Sequence, residues 1–143
     1  MNLPLIPGIN LLVNKGEDST SWYNFFKFMR DAIGTGQVTN GVRVGGATGI
    51  NLPSSNQTSM VRISGNGSGT VVITANPSIS QGFDGQSITI EGTDDTNKVT
   101  LNNGNGIKLN GGASFTFAKG DIMNLHYSNI SSCWLENYRS KNS

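Results

Sequence analysis

Charge is what this sequence has least of: Asp, Glu, Lys and Arg make up 13% of its residues, against a usual share of about 25%. The charges nearly cancel, to a net +1. Without a basic stripe there is nothing to neutralise a phosphate backbone, so no nucleic-acid partner is expected. Histidine occurs once, as His126, and cysteine once, as Cys133. One histidine cannot build a multi-histidine metal site. One cysteine cannot close an internal disulfide, which fits synthesis in a reducing cytoplasm. No run of about 18 apolar residues occurs, so no membrane-spanning helix is expected. Met1-Asn2-Leu3-Pro4 carries neither a basic flank nor an apolar h-region, so no cleaved leader is expected.

The share missing from charge has gone to Gly, Asn, Ser and Thr. These residues favour turns and disfavour helix. The 143 residues suit one ordinary domain. The composition therefore points to a mainly β, turn-rich protein with an uncharged polar surface.

Three regions differ along the sequence. In residues 1–18, Leu3, Leu5, Ile6 and Ile9 are interrupted by Pro4 and Pro7, and proline favours extended backbone. Two readings of this arm stand: it packs on its own domain, or it anchors on another subunit or protein. In residues 19–33, Ser19, Thr20 or Ser21 can cap a helix that Gly34 ends. Trp22, Phe25, Phe26, Met29 and Ile33 share one face at helical spacing, while Tyr23 and Phe28 lie off it. The apolar surface is wider than one stripe. Burying each large side chain is worth about 1.5–3 kcal/mol. Either self-association or enclosure between the arm and the β region would bury it.

From about residue 35 the pattern is β-like. Candidate strands are 41–44, 60–64, 70–74, 87–91, 98–101, 107–109, 114–117, 122–127 and 133–138. In Ser87-Ile88-Thr89-Ile90-Glu91 the alternation puts Ile88 and Ile90 inward. Asn103-Gly104-Asn105-Gly106 and Asn110-Gly111-Gly112 supply the positive φ of tight turns. Many short strands suggest an antiparallel sandwich, jelly-roll or β-helix-like domain. No strict repeat period is visible, so no solenoid is predicted. The expected organisation is an arm and helix at 1–34, a linker at 35–58 and a β domain at 59–143.

Chemistry needs positioned acids, bases or nucleophiles. His126 alternates away from Met123, Leu125 and Tyr127, onto the polar face of a strand. Cys133 reads as a packed thiol, since nothing shows a base beside it. Asp84, Glu91, Asp94 and Asp95 match no ion-binding loop, and no carboxylate pair stands out for glycoside hydrolysis. No catalytic residue, cofactor or metal is therefore expected. Exposed aromatics can serve as flat platforms for sugars, and Trp134 and Tyr138 are the candidates; the competing reading places them in the β core.

Two stretches resemble bacteriophage virion proteins of the tail-fibre, spike and head-fibre type. The start, Leu3-Pro4-Leu5-Ile6-Pro7-Gly8-Ile9 followed by Ser21-Trp22-Tyr23-Asn24-Phe25-Phe26, resembles N-terminal segments of tail and fibre-associated proteins. Residues 85–101, beginning Gly85-Gln86-Ser87-Ile88-Thr89-Ile90, resemble a C-terminal module of trimeric phage appendages. So do residues 104–111, Lys119-Gly120-Asp121-Ile122 and residues 134–140. The resemblance implies a homotrimeric virion structural protein made in the host cytoplasm. It implies attachment to other virion proteins through residues 1–34 and display of the β domain, with a host-surface glycan as a candidate ligand. The protein has no long shaft, which raises an adaptor or a capsid decoration protein as the alternative to a receptor-binding fibre. A carbohydrate-binding module is the alternative of another class.

Overall fold

The computed structural model describes residues 24–26, 29, 37–52 and 58–143. The protein divides into two units, Met1–Thr35 and Gly36–Ser143. In the first, residues 24–26 and Met29 are helical, within the segment expected to form a helix. The second is mainly β, as the composition implies. Its strands are β1 (Gln37–Val44), β2 (Thr58–Gly65), β3 (Val71–Val72), β4 (Ser87–Gly92) and β5 (Val99–Leu101). They continue with β6 (Ile107–Lys108), β7 (Phe115–Phe117), β8 (Ile122–Ser128) and β9 (Cys133–Ser140).

The strands form a six-stranded sheet in the order β1-β2-β4-β8-β9-β6 and a three-stranded sheet in the order β3-β5-β7. From β2 to β5 the backbone alternates between them, so each passage lays one strand parallel to its predecessor in both sheets. Arg62 on β2 lies beside Glu91 on β4, 29 residues further on. Val71 on β3 lies beside Val99 on β5, 28 residues further on. The bridge between Ile50 and Ile79 stacks the connections in the same way. These are successive coils of a short β-helical stack, and the offset is a repeat that the sequence hides. Only the inward positions are shared, Val61 with Ile90 and Val71 with Val99, while the turns between them differ.

The expectation of antiparallel pairing holds for β4–β8, β8–β9 and β5–β7. It is corrected for β1–β2, β2–β4, β3–β5 and β6–β9, which are parallel. Alternating polarity buries one face of a strand whichever way its neighbour runs, so the pattern alone does not set direction. Residues 35–58 also differ from the linker expected there. They contain β1, and Ile50 is a core residue at 1% exposure. Gly45, Gly46 and Gly49 disguise this segment. A side chain at Gly46 would meet the Val72 carbonyl, and one at Gly49 the Ser78 carbonyl, so glycine here lets two coils approach.

Both sheets face one core. Val61, Ile63, Ile88, Ile90, Met123 and Leu125 enter it from the larger sheet, and Val99, Leu101, Phe115 and Phe117 from the smaller. The alternation read from Ile88 and Ile90 is the one observed. The Asn105-Gly106 turn has φ of 49° and 82°, with Gly104 and Ile107 bonded across it in both directions. That is the positive-φ geometry expected of Asn-Gly in a two-residue hairpin.

Candidate functional site

The outer face of the six-stranded sheet carries the surface with most chemistry. Register places side chains on it in rows. One row runs Val38, Met60, Thr89, Asn124 and Tyr138; a second runs Arg62, Glu91, Ile122 and Ser140; a third runs Ser87, His126 and Leu135. Hydrogen bonds knit the rows. Arg62 donates to Glu91 at 2.7 Å and to Asn40 at 3.0 Å. Asn124 Nδ2 donates to Thr89 Oγ1 and to the Ile88 carbonyl. Asn137 Nδ2 donates to Asn124 Oδ1 at 2.7 Å, and its Oδ1 lies 2.7 Å from His126 Nδ1.

A bulge on β9 creates this arrangement. The register with β8 shifts between Asn124 and Leu125, so that Asn137 is the extra residue. Asn137 and Tyr138 consequently both face solvent, and Tyr138 is 52% exposed. The same bulge turns two residues three apart, Glu136 and Arg139, toward the inner side, opposite Leu125 and Met123. Glu136 is buried, is paired with the Arg139 guanidinium and accepts the Asn110 N–H at 2.8 Å. Burial pushes the Glu136 carboxyl up. The Arg139 and Asn110 hydrogen bonds outweigh it and hold the group below its ordinary value. Arg139 also caps the Ala113 carbonyl and lies 5.2 Å from the centre of the Phe115 ring. Arg139→Ala would leave Glu136 buried without its cation. It is expected to cost about 3 kcal/mol, read as a lower urea midpoint with an unchanged m-value.

Trp134 is corrected as a sugar platform. It is 1% exposed, packs edge-on against Tyr127 at 5.3 Å and donates its indole N–H to the Ser80 carbonyl. A platform must present a ring face, and this ring is enclosed by the core. Tyr138 of the candidate pair is the one at the surface. Cys133 is buried, as a packed thiol would be, and His126 faces Asn137. The acids have structural partners. Asp94 accepts the Asn97 and Thr96 N–H groups, with Asn97 first in holding its carboxyl below the ordinary value. Asp95 accepts the Lys119 N–H and Asp84 the Asn129 N–H. Among the described residues, no three metal-ligating side chains gather.

Of the proposed anchor residues, Leu3, Leu5, Ile6, Ile9, Trp22 and Ile33 lie outside the described residues. Phe25 and Met29 are partly buried, and Phe26 is 62% exposed with its ring 5.6 Å from that of Phe25. Sequence reasoning missed Asn124, Asn137 and the Arg62–Glu91 pair. Polar positions between apolar ones were visible in β2, β4 and β8, but which strands adjoin was not.

No family model matches the protein, and no curated protein matches it. It is similar to part of a solved structure described as "Structure of a chaperone-substrate complex", with a TM-score of 0.48 and 16% identity. That match covers 73% of this protein and 18% of the other, so this protein spans less than a fifth of the length of the one it resembles.

Proposed function

We propose that the protein is a structural component of a bacteriophage-type virion: a short homotrimeric fibre, spike or adaptor that attaches through residues 1–34 and displays its β unit. The observation that supports this reading best is the polarity of the coil stack. At one edge of the larger sheet lies β1, eight residues long and next in sequence to the N-terminal unit. At the other, the antiparallel strands β8 and β9 turn the backbone around, and the edge is the two-residue β6. A short edge strand resists further pairing. A stack that is closed at one end suits a part joined at the other. The charge-poor, turn-rich composition and the resemblance of residues 85–101 to fibre modules agree with it. The reading contains no catalytic step, because His126 and Cys133 both have structural surroundings. A capsid decoration protein has the same physics at another position on the particle.

The experiment is deletion of residues 1–35, the first unit. The remaining β unit is expected to stay soluble and melt cooperatively, yet to be missing from assembled particles. Normal incorporation would overturn the anchor, and an unfolded product would overturn the independent β unit. Sedimentation of the full-length protein should give one species at three times 15.2 kDa, and a monomer at micromolar concentration would remove the trimer.

A second reading rests on one specific observation. Tyr138 stands exposed beside the Asn137, Asn124 and His126 network, and an aromatic ring flanked by polar donors and acceptors is the chemistry of sugar recognition. A glycan array with the intact protein and with Tyr138→Ala tests it. Binding that survives the substitution places any sugar elsewhere.

A further inference from the structure

We propose that Asn66–Gly67 is a self-modification site, where Asn66 closes to a succinimide and reopens as aspartate or isoaspartate. The step needs water alone. The Gly67 backbone nitrogen attacks the amide carbon of the Asn66 side group and forms a new bond to it. The bond from that carbon to Nδ2 breaks, and the displaced nitrogen leaves as ammonia, carrying the proton that Gly67 gives up. Water then adds to one of the two imide carbonyls. Cleavage on one side yields aspartate; cleavage on the other yields isoaspartate, whose backbone runs through the former side group. Glycine after asparagine favours the attack, because no Cβ crowds the nitrogen.

The sequence holds five Asn-Gly pairs, led by Asn40, Asn66, Asn103, Asn105 and Asn110. By sequence they are equivalent; the fold separates them. Asn40 Oδ1 accepts from Arg62 at 3.0 Å. Asn103 Oδ1 accepts the Leu109 N–H at 2.8 Å, and the nucleophile that would attack it, the Gly104 N–H, is engaged by the Ile107 carbonyl at 2.8 Å. Asn105 Nδ2 donates to the Ala75 carbonyl at 3.2 Å, within a two-residue turn bonded at both ends. The Asn110 amide is unheld among the described residues, but its backbone N–H is bonded to buried Glu136 and its carbonyl accepts from Ala113. At Asn66 the backbone N–H is tied to the Val44 carbonyl. Neither its Nδ2 and Oδ1 nor the Gly67 N–H makes a hydrogen bond among the described residues, and both residues are exposed. At Asn110 the amide and the Gly111 N–H are likewise without hydrogen bonds among the described residues. The two pairs differ in that a turn bond from Ala113 holds the Asn110 carbonyl, whereas the Asn66 carbonyl accepts none, so the Asn66–Gly67 peptide is the less restrained.

The product would matter locally. Arg43 donates to the carbonyl of Gly65, the preceding residue, at 3.2 Å. A carboxylate formed at position 66 would arise beside that cation, in the loop that leads from β2 to β3. An isoaspartate would lengthen that loop by one backbone atom.

The test is incubation of the full-length folded protein at mildly alkaline pH, followed by peptide mapping that separates aspartate from isoaspartate, with a parallel sample in denaturant. In the folded protein, position 66 should convert on the order of tenfold faster than Asn103 or Asn105, the factor set by about 1.4 kcal/mol of restraint on the barrier. In denaturant the five should converge. If another of the five leads in the folded protein, the proposal fails. It fails equally if Asn66 leads by the same margin in denaturant, because the fold would then not be the cause.

Discussion

Gly92→Ala is expected to lower the unfolding midpoint of the β unit by on the order of 15 °C, which corresponds to about 3 kcal/mol in a domain of this size. Gly92 ends β4 where the backbone leaves the larger sheet. A methyl group there would stand 2.2 Å from the Ala118 carbonyl oxygen and 2.9 Å from Phe117 Cβ. Both neighbours belong to the backbone or the first atom attached to it, so no rotamer change relieves the overlap. The β7–β8 corner would have to move as a body. That corner is bonded to Gly92 on both sides: its N–H donates to the Asp121 carbonyl, and its carbonyl accepts the Gly120 N–H, each at 2.9 Å. Displacement therefore costs hydrogen bonds as well as packing. Gly67→Ala is the control. It has nothing within 4 Å and no positive φ, so a change within about 0.5 kcal/mol is expected. Thermal melts of the two variants side by side decide the matter. If Gly92→Ala melts with the parent protein, the close approach of β4 to the β7–β8 corner is wrong.

Asp121→Asn should cost about 2–3 kcal/mol at neutral pH. Asp121 is completely buried. One carboxylate oxygen accepts the Ala118 N–H at 3.0 Å; the other accepts the Asn142 and Ser143 N–H groups at 2.8 and 3.1 Å. It thereby ties the residues after β9 to the turn before β8. An amide of the same shape presents one acceptor and turns a donor toward other donors. Burial alone would push this carboxyl up, but the bonds from Ala118, Asn142 and Ser143 outweigh it and hold it below the ordinary 3.8. Because the folded-state value is depressed, the group's stabilisation is complete above the unfolded value and is lost as pH falls through the folded one. The gap between parent and variant should thus be full above about pH 4 and narrow below it. Urea midpoints for both proteins from about pH 7 down to about pH 3 measure this. A gap that is constant across that range would remove the carboxylate from the account.

Asp121 and Gly92 also mark where the sequence stopped being legible. Lys119-Gly120-Asp121-Ile122 reads as a turn before a strand, and nothing local says that its carboxylate is buried. That follows from the ends of β7 and β9 meeting at one corner, which is a long-range event. Glu136 is similar. Strict alternation would put it and Arg139 on opposite faces, and only the bulge at Asn137 brings them together. Trp134 and Tyr138 are alike in sequence as aromatics four apart. The same strand buries one and exposes the other, because Trp134 precedes the bulge and Tyr138 follows it.

What the sequence determined by itself was local. Period-two alternation placed Ile88 and Ile90 inward, and both are buried. The Asn-Gly pairs within 103–106 and 110–112 marked tight turns, and Gly104, Asn105, Gly106 and Gly111 have the positive φ those turns need. The deficit of charge and of helix-forming residues set the mainly β class. The tertiary structure decided which strands are neighbours and in which direction they run. It decided that residues 37–52 join the sheet as its first coil, and which asparagines are held by distant backbone. The coil contacts among these join residues far apart in sequence, 22 positions between β1 and the end of β2 and 28 or 29 between later coils. The strands on either side of such a contact carry the same alternating signal whichever partner they find, so hydrophobic pattern specifies the buried face and leaves the pairing to the packing of the whole core.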